Sequence, residues 1–141
     1  MKTMLLYQHK RTLDNELYDM LENAYSFNVI TKIKSFKSLR TYMIKHPEHI
    51  NNLVKMGLID IAKEGIRSQA MILRYEAMSI IQNIVFHSEE FYDSIKKSGI
   101  MRYVKKYTKY EKELPNMFTS ATFIISKLEA KKEIAVVRKS L

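Results

Sequence analysis

Apolar residues return every three or four positions through most of the chain, which is the spacing of one face of an α-helix and not the alternation of a strand. From Leu13 to Ala24 the series is Leu13, Leu17, Met20, Leu21 and Ala24, with Asp14, Asn15, Glu16 and Glu22 on the other side. From Val29 to Ile44 it is Ile30, Ile33, Phe36, Leu39, Tyr42 and Met43. This second stretch stops before His46-Pro47, because the residue ahead of a proline is steered away from helical dihedrals. Pro47 suits the first turn of a short helix, His49 to Met56, where the amide it lacks has no intrahelical partner anyway. Gly57 supplies the positive φ that closes that helix, and Leu58, Ile59, Ala62 and Ile66 open another. After a polar turn near Ser68 and Gln69, Ile72 to Phe86 carries Leu73, Ala77, Ile80, Ile81, Ile84 and Val85 on a wide stripe. It is the helix expected at the centre of the core.

Helix Ser88 to Ser98 is expected to be capped by Ser88, with Glu89 and Glu90 complementing its dipole. Gly99 repeats the punctuation of Gly57, and a helix from Ile100 to Lys112 follows. A loop at Leu114-Pro115-Asn116 leads to Met117 to Leu128. The charged ending, Glu129 to Leu141, is expected to fray, with Ile134, Ala135, Val136 and Val137 adding a short extension. The turn pairs that make hairpins are missing, so the fold class is all-α.

Laid over itself with an offset of 42 residues, the stretch Thr41 to Leu58 meets Asn83 to Ile100. His46-Pro47-Glu48, Ile50, Leu53, Lys55, Gly57 and Leu58 fall on Ser88-Glu89-Glu90, Tyr92, Ile95, Lys97, Gly99 and Ile100. Both copies read as a short helix, a glycine turn and a second helix. Such a period is the signature of stacked helical units, whose product is a binding surface more than a catalytic pocket.

The units resemble armadillo repeats, in which a short helix, a second helix beginning at a Gly and a long third helix fill about 40 residues. His49 to Ile59 is similar to the first helix and Gly turn of that family. Leu73-Arg74-Tyr75-Glu76-Ala77-Met78-Ser79-Ile80-Ile81-Gln82-Asn83-Ile84 is similar to its third helix, with a charged pair, Ala, two aliphatics and Asn. One full unit covers Pro47 to Phe86. A second, Ser88 to Leu128, aligns with about two residues inserted near Pro115, which sets Ala121 opposite Ala77 and Lys127 in the Asn position. An earlier third helix has Ser35 opposite Ala77 and Thr41 opposite Asn83. HEAT repeats share much of this pattern, so the broader description is an α-solenoid of about two units and a part, residues 13 to 128.

The resemblance implies that the third helices line a concave face holding extended peptides, here through Lys37 and Thr41, Ser79 and Asn83, and Phe123 and Lys127. In the family the Asn amide hydrogen-bonds the ligand backbone, and here only Asn83 keeps it. The aromatic that nuclear-import receptors place four residues earlier is replaced by Lys37 and Ser79, leaving Phe123 as the only aromatic of the face. Recognition of nuclear signals is therefore not expected. Asn83 as a locally bonded helix residue with no ligand stands beside the binding reading.

Composition adds a second theme. There are 24 Lys and Arg against 15 Asp and Glu, a formal charge of +9, which draws acidic partners or phosphate over long range. On the stretch after Gly99, Arg102, Lys105, Lys106 and Lys109 interleave with Tyr103, Tyr107 and Tyr110, the makings of an RNA surface in which cations meet phosphates and rings stack on bases. The plainer reading has Tyr103 and Tyr107 covering the core with their hydroxyls in water. The tail Lys127, Lys131, Lys132, Arg138 and Lys139 adds charge of the same sign. The chain has no Cys, which removes disulfides and thiolate chemistry and suits a reducing, cytoplasmic setting. The extension Met1 to Thr12, with Lys2, Lys10, Arg11 and no acid, is the one feature suggesting a mitochondrial presequence, and it is short. No apolar run nears the roughly 20 residues that span a bilayer.

Of the four histidines only His46 and His49 sit close, astride Pro47, so no metal is expected. His46 and His87 read as helix-end residues facing terminal carbonyls. Glu48, Glu76, Glu89, Glu90 and Asp93 are placed on surface faces or first turns, and no phosphate loop or nucleophile motif is present. The expectation is a non-enzymatic interaction module or subunit of an assembly, without cofactor or small-molecule substrate, that binds protein through its third-helix face and open ends. The alternative is a basic RNA- or ribonucleoprotein-associated factor. A chaperone cofactor that cups a globular partner shares the fold, and no residue argues for it.

Overall fold

The structure, a computed structural model, describes residues 15–140, with side chains through residue 129. The Met1 to Thr12 extension, Leu13 and Asp14, and the side chains of Lys131, Lys132, Arg138 and Lys139 lie outside the described residues. Among those described the fold is all helix and turn, with no strand. Helix α1 spans 15–23. Helix α2 is Val29–Lys45, opened by Asn28, whose Oδ1 accepts the Thr31 amide at 3.1 Å. Pro47–His49 forms one tight turn that leads into α3, Ile50–Lys55. Gly57, at φ 112°, turns the chain into α4, Leu58–Ile66, and α5 follows as Met71–His87.

The second copy repeats these parts. Glu89–Phe91 is a tight turn, α6 is Tyr92–Lys97, Gly99 has φ 80°, α7 is Met101–Lys105 and α8 is Pro115–Ser140. Matching residues of the copies, Ile50 with Tyr92, Leu53 with Ile95 and Leu58 with Ile100, are all buried. The sequence repeat is thus a repeat of local structure. A Cβ at Gly57 would meet nothing within 4 Å, so only its backbone conformation opposes substitution. Gly57→Ala is expected to cost about 1–2 kcal/mol, read from urea unfolding, because left-handed backbone is penalised in any residue with a Cβ.

Four local expectations need correction. Ser88 does not cap its helix; its hydroxyl donates to Asn51 Oδ1 at 3.1 Å, tying the start of the second copy to the first. The helix expected from Ile100 to Lys112 is short: α7 ends at Lys105 and tightens into a 3-10 turn, Lys106–Lys109. There the Thr108 hydroxyl donates to the Lys105 carbonyl at 2.7 Å, and Tyr107 turns inward and is buried. Helix α8 begins at Pro115 and continues through Ser140, so the ending is an extension of the last helix. Glu76, placed on a surface face by its charge, is buried at 7 % exposure.

Helix α5 packs against α2, α4 and α8, as its stripe implies, so the three long helices lie next to one another in chain order. Phe36, Leu39 and Met43 of α2, Leu73, Ala77, Ile80, Ile81 and Ile84 of α5, and Ala121 and Ile124 of α8 belong to one buried cluster. Gly65 in α4 lets that cluster close, because a Cβ there would fall 2.3 Å from Phe36 Cε2 and 2.9 Å from Ala77 Cβ. No helix among the described residues is long and apolar enough to cross a membrane.

Candidate partner-binding groove

Residues three and four apart on a helix share a face, and on the three long helices this rule assembles a groove. Arg40 and Ile44 come from α2, Ser79, Gln82, Asn83 and Phe86 from α5, and Phe123 from α8; together they line a hollow of about 380 Å³. The Phe86 and Phe123 rings sit side by side, centroids 6.3 Å apart. Phe86 is 65 % exposed and Ile44 60 %, so the hollow has an uncovered apolar margin. Lys127 Nζ lies 5.7 Å from the Phe123 centroid, over the ring, where the aromatic quadrupole attracts it. Arg40 Nε lies 2.8 Å from Glu76 Oε2, an ion pair without the alignment of a hydrogen bond.

The six residues that the repeat pattern sets on the concave face divide between two hollows. Ser79, Asn83 and Phe123 line the groove, and Lys127 caps one of its rings. Lys37 and Thr41 line a more open hollow of about 460 Å³ beside it, with Met20, Tyr42, Lys45 and His46. Thr41 and Ile44 lie three apart on α2, so that helix contributes neighbouring positions to both hollows. Asn83 Nδ2 donates to the Ser79 carbonyl at 2.9 Å. A ligand backbone would have to displace that bond or use the rest of the amide. Phe123 is not the only aromatic here, since Phe86 joins it. Phe86 follows Asn83 by three and Ser79 by seven, so the same-face rule could have found it.

The basic residues after Gly99 do not form one surface. Lys105 lines a hollow against α8 with Met101, Ile125 and Leu128, whereas Lys106 faces the turn between α4 and α5. Arg102 and Lys109 are exposed. Tyr107 is buried, Tyr110 packs beside it with centroids 6.1 Å apart, and Tyr103 is half-buried under Arg67 and Arg102. The Tyr107 ring is therefore part of the core and cannot stack on a base.

His46 ends α2 as its C-cap; its ring stacks on His49, lies tilted against Tyr42 and pairs with Glu48 Oε1 at 3.3 Å. The Tyr42 hydroxyl is 2.6 Å from His49 Nδ1. Burial raises the Tyr42 phenol above its ordinary value, with Glu48 and Glu16 adding to the shift. The Glu48 carboxyl is held below the usual range, first by its own backbone N–H and then by His46. Ligating atoms of His46, Glu48 and His49 all lie within 4.8 Å of one another. These three are where a cation could be held, in competition with the hydrogen bonds just described.

No protein-family model matches the chain, and no curated protein matches it either.

Proposed function

We propose that this chain is a non-enzymatic protein-interaction module of armadillo-like helical units, holding an extended acidic segment of a partner across α2, α5 and α8. The observation that carries the reading is the groove with Phe86 and Phe123 side by side, rimmed by Arg40, Asn83 and Lys127. Aromatic anchors in a concave site give a partner most of its binding energy, and Lys127 at the rim gives a preference for acid. A further apolar set at the amino-terminal end of the stack, Tyr25, Phe27 and Ile30, is exposed and offers a second contact with an assembly. The RNA reading draws less support, because Tyr107 is in the core and the cations face different sides.

The test is co-purification from native cells followed by quantitative mass spectrometry. Phe86→Ser is expected to lower the recovery of a stoichiometric partner by about tenfold or more, as loss of an aromatic anchor does. Tyr18→Ser, at an exposed residue of α1, is the control and keeps the partner. Equal recovery with both variants sinks the groove reading.

A further inference from the structure

A hollow of about 210 Å³ opens on another side of the molecule, where the turn between α4 and α5 faces the end of α7. Its lining includes Arg67, Arg74 and Lys106, with Ser68 and Tyr103, and no carboxylate. The neighbouring Arg102, exposed on α7, donates from Nη2 to the Tyr103 hydroxyl at 2.7 Å. The guanidinium carbons of Arg67 and Arg102 lie 5.8 and 4.8 Å from the Tyr103 ring centroid. Ion pairs among the described residues join Lys32 to Glu64 and Arg40 to Glu76, and the His46 ring lies 3.3 Å from Glu48 Oε1. None of them involves Arg67, Arg74, Arg102 or Lys106.

Like charges brought together on a low-dielectric surface repel unless an anion joins them. This cluster is also held in place. Arg74 Nη1 donates to the Tyr107 hydroxyl at 3.4 Å and Nη2 to the Gln69 carbonyl at 3.1 Å, while its Nε is buried with no acceptor. Ser68 Oγ accepts the Ala70 amide at 3.1 Å, which leaves its own proton to donate. Arginine forks with a hydroxyl donor suit the oxygens of a phosphate group, which they bind by paired, charge-assisted hydrogen bonds.

We propose that this hollow binds a single phosphate group, carried by a phosphorylated side chain or a small phosphate monoester. The ligand is one phosphate and not a nucleic-acid strand, because Arg67, Arg74 and Lys106 line a single small hollow. A strand needs a track of charge and open rings, and here Lys105 faces another hollow and Tyr103 is covered by two arginines. The cationic surroundings also acidify the Tyr103 phenol, through the Arg102 hydrogen bond first and then the charges of Arg102, Arg67 and Lys63. A bound anion offsets that field and moves the phenol back up toward its ordinary value. The proposal is independent of the groove formed by the long helices.

The test is calorimetric titration of the full chain, in phosphate-free buffer at physiological salt, with O-phosphoserine, a phosphoserine peptide, inorganic phosphate and a short oligouridylate. Saturable single-site binding of phosphate or phosphoserine is expected, weakened about tenfold or more by Arg67→Gln or Lys106→Gln, since each removes a charge-assisted contact. Lys105→Gln and Lys109→Gln, outside the hollow, should leave it unchanged. A phosphoserine peptide that binds more tightly than inorganic phosphate assigns the site to a modified side chain, and equal binding assigns it to a small phosphate. The Tyr103 ionisation, taken as the absorbance difference between wild type and Tyr103→Phe, should rise in pH with ligand. The proposal is overturned by absence of saturable binding, by equal loss in the Lys105 and Lys109 variants, or by preference for oligouridylate.

Discussion

Gly65→Ala is expected to destabilise the fold by about 1–2 kcal/mol, although alanine is the better helix former by roughly 1 kcal/mol. Gly65 lies inside α4, where glycine carries an entropic cost and has no turn to make. Its use is space: the added Cβ would sit 2.3 Å from Phe36 Cε2, 2.8 Å from Phe36 Cζ and 2.9 Å from Ala77 Cβ. Both neighbours are fully buried, so the Phe36 ring cannot swing into water and α2 or α5 must move. Overpacking of this kind costs about 1–3 kcal/mol, which exceeds the gain in helix propensity. Gly65→Val, larger and β-branched, should lose more. Urea unfolding measures both, and Phe36→Leu combined with Gly65→Ala should recover part of the loss, a coupling of about 0.5–3 kcal/mol between touching residues. A Gly65→Ala protein as stable as wild type would mean that α4 does not approach α2 and α5 this closely.

Removing the positive member of the buried pair should cost more than removing the negative one. Arg40→Met leaves Glu76, at 7 % exposure, as a charge in the core without its partner. Breaking a fully buried pair costs about 3–5 kcal/mol. The Arg40 side chain is 39 % exposed, so solvent screening reduces the expected loss to about 2 kcal/mol. Glu76→Gln keeps a polar group of the same shape and leaves Arg40 free to reach water, so its cost should stay under about 1 kcal/mol. Arg40→Met with Glu76→Leu should recover most of the loss, because an apolar pair can replace a buried ion pair with little penalty. Equal costs for the two single variants would show that Glu76 reaches water in solution.

What the sequence made legible follows the strength of the periodic signals. Gly57 and Gly99 could be placed because two glycines 42 residues apart follow apolar positions at the same spacing, Ile50 and Leu53 in one copy and Tyr92 and Ile95 in the other, and both have positive φ. The stripe Leu73, Ala77, Ile80, Ile81, Ile84 marked α5 as central because each of these is apolar at helical spacing. Gly65 was not legible: a glycine within a helical pattern reads as a small cost, and the ring filling its place belongs to a residue 29 positions earlier. Glu76 was misplaced because charge usually signals surface, and its partner Arg40 is on another helix. For Tyr107 the sequence left two readings, a ring covering the core and a ring stacking on bases; the tightening after Lys105 turns the ring inward, in line with the first. Within the groove, Ser79, Asn83 and Phe123 came from the repeat alignment. Arg40 and Ile44 required knowing which side of α2 faces α5.

The place of α5 bears on how the chain emerges during synthesis. Once His87 has left the ribosome, α5 can settle on α2 and α4, since both are already made. Its side toward α8 stays wet until the stretch beginning at Pro115 follows, for helix partners on opposite flanks cannot be covered at once. Nascent chains of intermediate length thus carry an apolar ledge, the kind of surface on which chaperones act and from which aggregation starts.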